Sequence, residues 1–111
     1  PETVVAPPIM PEPFNVAPKL LAAKDRIDPN AVMNMAVSSD TIGGSSGSPA
    51  VNAKGEIIGA NFDSTVLTQR NAYGYDRNTN RSVIVTTQAV TVALRDVYGM
   101  DHLLTELGVS R

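Results

Sequence analysis

Residues 41–64 read TIGGSSGSPAVNAKGEIIGANFDS, and the fold turns on how this stretch is read. Its first part, within SSDTIGGSSGS at 38–48, has almost no side-chain bulk and reads as a loop. Pro49-Ala-Val-Asn52 and Glu56-Ile-Ile-Gly-Ala-Asn-Phe62 then read as two short strands around Asn52-Ala-Lys-Gly55. That spacing is a four-residue hairpin turn with glycine where a positive φ is needed. Within the loop, Ser46 has Gly44 two residues before it, Gly47 directly after it, and Pro49 opening the strand. Glycines so placed permit a tight bend that exposes a hydroxyl and turns successive N–H groups into one concavity. Acyl transfer needs such donors near its nucleophile, because negative charge develops on the carbonyl oxygen. One donor is worth roughly 2.7–4 kcal/mol of the barrier. On residue types alone, a Gly/Ser surface turn without chemistry stays open. A phosphate cradle is the weaker alternative, since it wants GxxxxGK[ST] running into a helix.

Outward from this stretch, AVMNMAV at 31–37 and SVIVT at 82–86 read as strands, the second strongly β-branched. TQRNAYGYDRNTNR at 68–81 is polar and reads as a long exposed loop. Leu20 to Ala23 is a short apolar run halted by Asp25, Arg26 and Asp28-Pro29. Toward the end the period changes. Val90, Ala93, Leu94, Val97 and Tyr98 form the stripe of an amphipathic helix, with Gly99 in the place of a C′ glycine. Asp101 can cap a second short helix through Leu107, which Gly108 closes. Four or five short strands cannot close a barrel alone, so the remaining strands are expected in other sequence. Six of the eight prolines fall in the first eighteen residues, which read as an extended lead-in. Pro8 and Pro11 have PxxP spacing, but a connector draped over a larger protein is the preferred reading. A chain opening PETVV is expected to belong to something longer.

The 111 residues are 42% hydrophobic and 18% charged, enough apolar content for one domain. Charge lies below the roughly 25% of soluble domains, so much of the surface is expected to be covered by something else. A net charge of −2 with no basic stripe argues against nucleic-acid or membrane-surface binding. The absence of cysteine removes disulfides, thiolate zinc sites and cysteine nucleophiles. With one histidine and no cysteine, a zinc site is implausible. A serine hydrolase would therefore use His102 or borrow its base from elsewhere. Asp101 and His102 are adjacent on a helix and point about 100° apart, so Asp101 is badly placed to orient His102. His102 reads as structural; Asp40, Asp76 and Asp96 read as surface, turn and helix-face charges. Tyr73 and Tyr75 are expected to pack against the rest of the protein. Asn80-Arg81-Ser82 is a glycosylation pattern by spelling only.

GxSGxP followed by PAVNAKGEIIGANF resembles the nucleophile region of chymotrypsin-like serine peptidases. The fuller pattern, ending in RSVIV, a helix and VYGMDHLLTEL, is similar to the C-terminal end of the bacterial dipeptidyl-peptidase 7 and 11 family. The resemblance spans about residues 31–108 and is strongest at 41–64. It implies that Ser46 is the nucleophile and that the Gly44 and Ser46 amides form the oxyanion hole. It further implies that Asp63 binds the substrate's free N-terminal amine and that Ser64 helps set the side chain preferred before the cleaved bond. The charge logic of Asp63 has its own basis: a carboxylate at fixed reach tells a protonated α-amine from an internal amide by charge-assisted hydrogen bonding. Family members with glycine at the position of Ser64 favour bulky apolar side chains, and those with arginine favour acidic ones. Serine supplies no cation, which points to small or apolar side chains. Ser45 replaces the family's usual asparagine, and IVTTQAV lacks the acidic and arginine pair expected at the last helix.

The expected fold is mainly β, part of a chymotrypsin-like antiparallel β-barrel (the second of two) with a C-terminal α-helix. Residues 1–18 are the Pro-rich lead-in and 19–111 the C-terminal portion of the peptidase domain. The expected function is a serine exopeptidase releasing dipeptides from free N-termini, with histidine and aspartate supplied by sequence N-terminal to this chain. The alternatives are a non-catalytic peptidase-like binding or assembly module and an endopeptidase of the same fold. No metal or organic cofactor is implied. Peptide substrates and the rest of the parent polypeptide are the expected partners. The resemblance adds a homodimer of the full-length protein and a periplasmic or envelope setting in a Gram-negative bacterium.

Overall fold

The computed structural model describes residues 12, 13 and 15–109, except for the side chains of residues 71 and 72. Most of the Pro-rich lead-in, including the Pro8–Pro11 spacing, lies outside the described residues. The chain divides into two compact units, one comprising 32–90 and the other formed by 1–31 with 91–111.

The first unit is built on one antiparallel sheet. Its strands are β1 (Asn34–Val37), β2 (Pro49–Val51), β3 (Ile57–Ser64) and β4 (Ser82–Thr86), in the order β1-β4-β3-β2. The mainly β expectation holds. Four strands form an open sheet, as their number and length required. β4 is the β-branched run SVIVT, and it lies between β1 and β3 with Ser82, Ile84 and Thr86 buried. Pro49, which cannot donate to a ladder, opens the edge strand β2. The β2–β3 turn follows the sequence reading: Gly55 N–H donates to the Asn52 carbonyl at 3.0 Å, with Gly55 at φ +82°. The Asn52 side chain adds bonds from the Lys54 and Glu56 amides at 2.9 and 3.0 Å. β3 and β4 approach closely at Gly59, where a Cβ would run into the Val85 carbonyl oxygen.

Between β3 and β4 the structure departs from the expected loop. Residues Val66–Ala72 form a 3-10 helix. Thr68 explains it: buried, it donates its hydroxyl to the Arg81 carbonyl at 3.0 Å and accepts the Arg81 amide at 3.2 Å. Thr68 and Asn80 are buried in this segment, whereas Gln69, Arg70, Arg77 and Asn78 remain exposed. Asn80 is fully buried, so its glycosylation spelling has no accessible amide. Asp76 accepts the Asn78 amide at 2.9 Å, as a turn residue does. Tyr75 bonds within this chain, donating to the Ser38 carbonyl at 2.8 Å, whereas Tyr73 is 96% exposed.

Thr86 ends the sheet and starts α2 (Thr87–Val92): its hydroxyl oxygen accepts the Ala89 amide at 3.0 Å and its hydroxyl donates to the Val32 carbonyl. α2 thus begins three residues before the apolar stripe read from the sequence. It continues as a π-helical turn over Ala93–Val97, with the Tyr98 amide bonding to the Ala93 carbonyl at 3.0 Å. Ala89 and Val92 are the buried residues, and Val90 and Tyr98 are 43% and 56% exposed. No helix among the described residues is long and apolar enough to cross a membrane.

In the second unit, Pro18 opens α1 (Pro18–Ala23), where a missing N–H costs nothing. The Arg26 guanidinium donates from Nε and Nη2 to the Asp96 carbonyl at 3.2 and 3.1 Å, and Lys19 lies 5.3 Å over the Tyr98 ring. α3 (Asp101–Glu106) buries Leu104. Its cap is Met100 and Asp101 is the first helical residue, so the helix starts one residue earlier than the sequence reading put it.

Gly59→Ala forces a Cβ into the β4 backbone. We expect it to destabilise the fold by about 1–3 kcal/mol, read as a lower Tm by calorimetry. An unchanged Tm would mean that β3 and β4 can separate at no cost.

Candidate active site

The loop 38–48 is tied at its start to the buried strand β4. Ser82 shares a 2.6 Å hydrogen bond with the Thr41 hydroxyl and donates to the Ser39 carbonyl at 3.2 Å. At its end the loop is tied to β3 through Asn61. The Gly47 amide donates to the Asn61 carbonyl at 2.7 Å, and the Asn61 amide donates to the Ser48 carbonyl at 2.9 Å. The Asn61 side-chain Nδ2 adds a bond to the Ser45 carbonyl at 3.3 Å. Between these ties the chain bends sharply at two glycines, Gly44 at φ +95° and Gly47 at φ +84°, one on each side of Ser46. Side-chain-bearing residues rarely adopt that region.

The bends sort the loop amides into two sets. The Ser45 amide is held by the Ile42 carbonyl at 3.1 Å, the Ser48 amide by the Ser45 carbonyl at 3.1 Å, and the Gly47 amide by Asn61. The Gly44 and Ser46 amides donate to no group among the described residues. The Ser46 hydroxyl is exposed and likewise has no partner among them. An exposed hydroxyl beside two unspent N–H donors can attack a carbonyl and hold the oxygen that becomes charged. Ser45, at the place where the family usually has asparagine, accepts the Ile42 amide on its hydroxyl oxygen at 3.2 Å.

Ser46 and Gly44 line a cleft of about 300 Å³ whose other wall is the end of β3 with Asp63 and Ser64. All four site residues read from the sequence are therefore brought together. The β3–β4 register slips by one between Asn61 and Asp63, a bulge at Phe62. Such bulges bend a strand end and re-aim its side chains. Asp63 is exposed; its Oδ1 accepts the Ser64 amide at 2.8 Å, and Oδ2 has no partner among the described residues. The carboxylate is thus pinned by one oxygen and open at the other. Thr41, Ile42, Gly43, Asn61, Phe62, Thr68 and Gln69 complete the lining, which contains no cation.

Asn61 escaped the sequence reading. It is 9% exposed, its Oδ1 is buried without a partner among the described residues, and it also lines a second cavity of about 530 Å³ bounded by Val37, Ala50 and Ile58. An orphaned buried acceptor costs about 1–3 kcal/mol. The available signal was an amide side chain in the middle of the strand IIGANF, two residues before Asp63. His102 is exposed on α3, in the other unit from Ser46. Among the other carboxylates set aside in the sequence, Asp96 pairs with Arg95 at 3.1 Å and Asp40 is exposed. Among the described residues no group of three or more His, Asp or Glu side chains could hold a metal ion.

A mainly β unit with a glycine-bent serine loop over a carboxylate-bearing strand end has the layout of a peptidase fragment. The family model of peptidase S46 matches residues 10–109, and the chain belongs to that family. An Asp/Glu-specific dipeptidyl-peptidase of Shewanella putrefaciens is 37% identical over 79 residues, covering 71% of this chain and 11% of that protein. A dipeptidyl-peptidase 7 of Phocaeicola vulgatus is 33% identical over 72 residues, 65% of this chain and 10% of that protein. The crystal structure of Porphyromonas endodontalis DPP11 in complex with the dipeptide Arg-Asp superposes with a TM-score of 0.74 at 30% identity. That match covers 84% of this chain and 14% of the DPP11 chain. The chain thus spans little more than a tenth of the relatives it matches.

Ser82→Ala removes the tie between β4 and the start of the loop. We expect a loss of about 1–2 kcal/mol in stability and faster amide exchange over residues 39–46 by mass spectrometry. Unchanged exchange there would mean that the Asn61 ties alone hold the loop.

Proposed function

We propose that this chain is the nucleophile-bearing C-terminal part of a serine-type dipeptidyl peptidase of the chymotrypsin-like class, releasing dipeptides from free N-termini. The observation that carries the reading is the grouping, in one cleft, of an unpartnered Ser46 hydroxyl, two unspent amides and a half-open carboxylate. Asp63 Oδ2 takes the substrate's α-ammonium, which fixes the distance to Ser46 at two residues. Ser46 Oγ then attacks the carbonyl carbon of the second peptide bond and gives its proton to a histidine outside these 111 residues. An aspartate, also outside them, orients that histidine. The oxyanion forms against the Gly44 and Ser46 amides. Collapse returns the proton to the departing amine and leaves a dipeptidyl ester on Ser46, which water hydrolyses.

Several exposed apolar side chains of the sheet unit support the larger assembly. Met33, Met35, Val51 and Ile57 are 39–62% exposed, an arrangement suited to cover by further strands of a barrel. The relatives named Asp/Glu-specific would need a cation for the acidic side chain. The cleft here has none, and Ser64 suits small or apolar side chains instead. The family resemblance carries with it a homodimer and a periplasmic or envelope setting.

The test is a panel of dipeptidyl reporters, each with a free and an acetylated amine, given to the full-length enzyme. Hydrolysis of the free-amine set alone is expected, abolished by Ser46→Ala. Asp63→Asn should raise KM by about tenfold or more, since a charge-assisted bond becomes a neutral one. Equal cleavage of both sets would indicate an endopeptidase, and silence of a folded enzyme a binding module. The 111 residues alone should hydrolyse nothing, because a serine without its base is a poor nucleophile.

A further inference from the structure

The Ser45 carbonyl and the Ser46 N–H belong to one peptide group, and a trans peptide points them in opposite directions. Whatever holds that carbonyl therefore aims that N–H. The Ser45 carbonyl accepts the Ser48 amide at 3.1 Å and the Asn61 Nδ2 at 3.3 Å. The first bond lies within the loop and moves with it. The second runs to β3, which is paired on both sides in the sheet. Of the two bonds on the Ser45 carbonyl, the one from Asn61 therefore references the Ser46 N–H directly to the sheet. The same residue clamps the loop through its backbone, by the Gly47 and Ser48 bonds. These backbone bonds survive any side-chain substitution, so the side chain's part can be separated from the clamp.

We infer that Asn61 is a positioning residue for the oxyanion donor: its Nδ2–H, on the Ser45 carbonyl, turns the Ser46 amide toward the developing oxyanion. This rests on the peptidase reading of the same cleft. Asn61 lines the same cleft as Ser46, and its Nδ2 acts through the 45–46 peptide. Its effect belongs to the transition state, where charge sits on the oxygen, and not to ground-state binding.

The test uses the full-length enzyme, a free-amine dipeptidyl reporter, and the variants Asn61→Ala and Asn61→Asp. The second keeps the shape and loses the donor. Both should lower kcat by about ten- to fiftyfold, less than outright loss of a donor, because the amide is misaimed and not removed. KM should stay within about twofold. A dipeptide aldehyde, whose adduct with Ser46 carries the oxyanion, should weaken by the same factor as kcat. Binding of the product dipeptide should not change. In Asn61→Asp the activity relative to the unsubstituted enzyme should rise as pH falls, since a protonated carboxyl can donate to the Ser45 carbonyl and a carboxylate cannot. Retention of kcat and aldehyde affinity in both variants overturns the inference. So does a loss carried by KM and product binding, or unfolding of both variants, each of which indicates a structural role. Failure of the peptidase reading looks different: the unsubstituted enzyme itself would show no Ser46-dependent hydrolysis.

Discussion

Two backbone hydrogen bonds between Asn61 and the loop, from the Gly47 amide at 2.7 Å and to the Ser48 carbonyl at 2.9 Å, set the terms for everything around Ser46. They extend the pairing of β3 past β2 and hang an otherwise featureless Gly/Ser segment on a strand with neighbours on both sides. A loop of this composition has little side-chain burial to hold it. Its shape must come from where its amides and carbonyls are spent. Those of Ser45, Gly47 and Ser48 are spent internally or on Asn61, and the Gly43, Gly44 and Ser46 amides have no partner among the described residues.

The same strand carries the second half of the site. Past the Phe62 bulge, Asp63 and Ser64 reach the cleft that Ser46 faces. The Ser46 loop and the Asp63 carboxylate are therefore referenced to one element, β3, at positions two residues apart. Under the proposed function, the distance between substrate amine and scissile carbonyl must be fixed, and a single strand fixes it better than two loops would.

Much of this was legible in the residues, for physical reasons that differ by element. The Asn52–Gly55 turn is specified by local chemistry alone, and SVIVT by a run of β-branched side chains in the middle of the sheet. The loop around Ser46 announces itself by lack of bulk. The segment 66–72 hid its 3-10 helix because Thr68 looks like a surface polar residue until Arg81, thirteen residues on, is seen to satisfy it. α2 was read from its apolar stripe, but its start is set by the Thr86 cap, and a π turn follows it at 93–97. Neither is a matter of hydrophobic period. Asn61 was missed for the same reason as Thr68, since a buried amide's partners lie across the fold.

The central claim is that Ser46, among the serines of this loop, is the activated one. Treating the full-length enzyme with a fluorophosphonate and mapping the adduct by peptide mass spectrometry tests it directly. The account predicts one equivalent of label, on Ser46. Label on Ser45 or Ser48, or none on the folded enzyme, would contradict it.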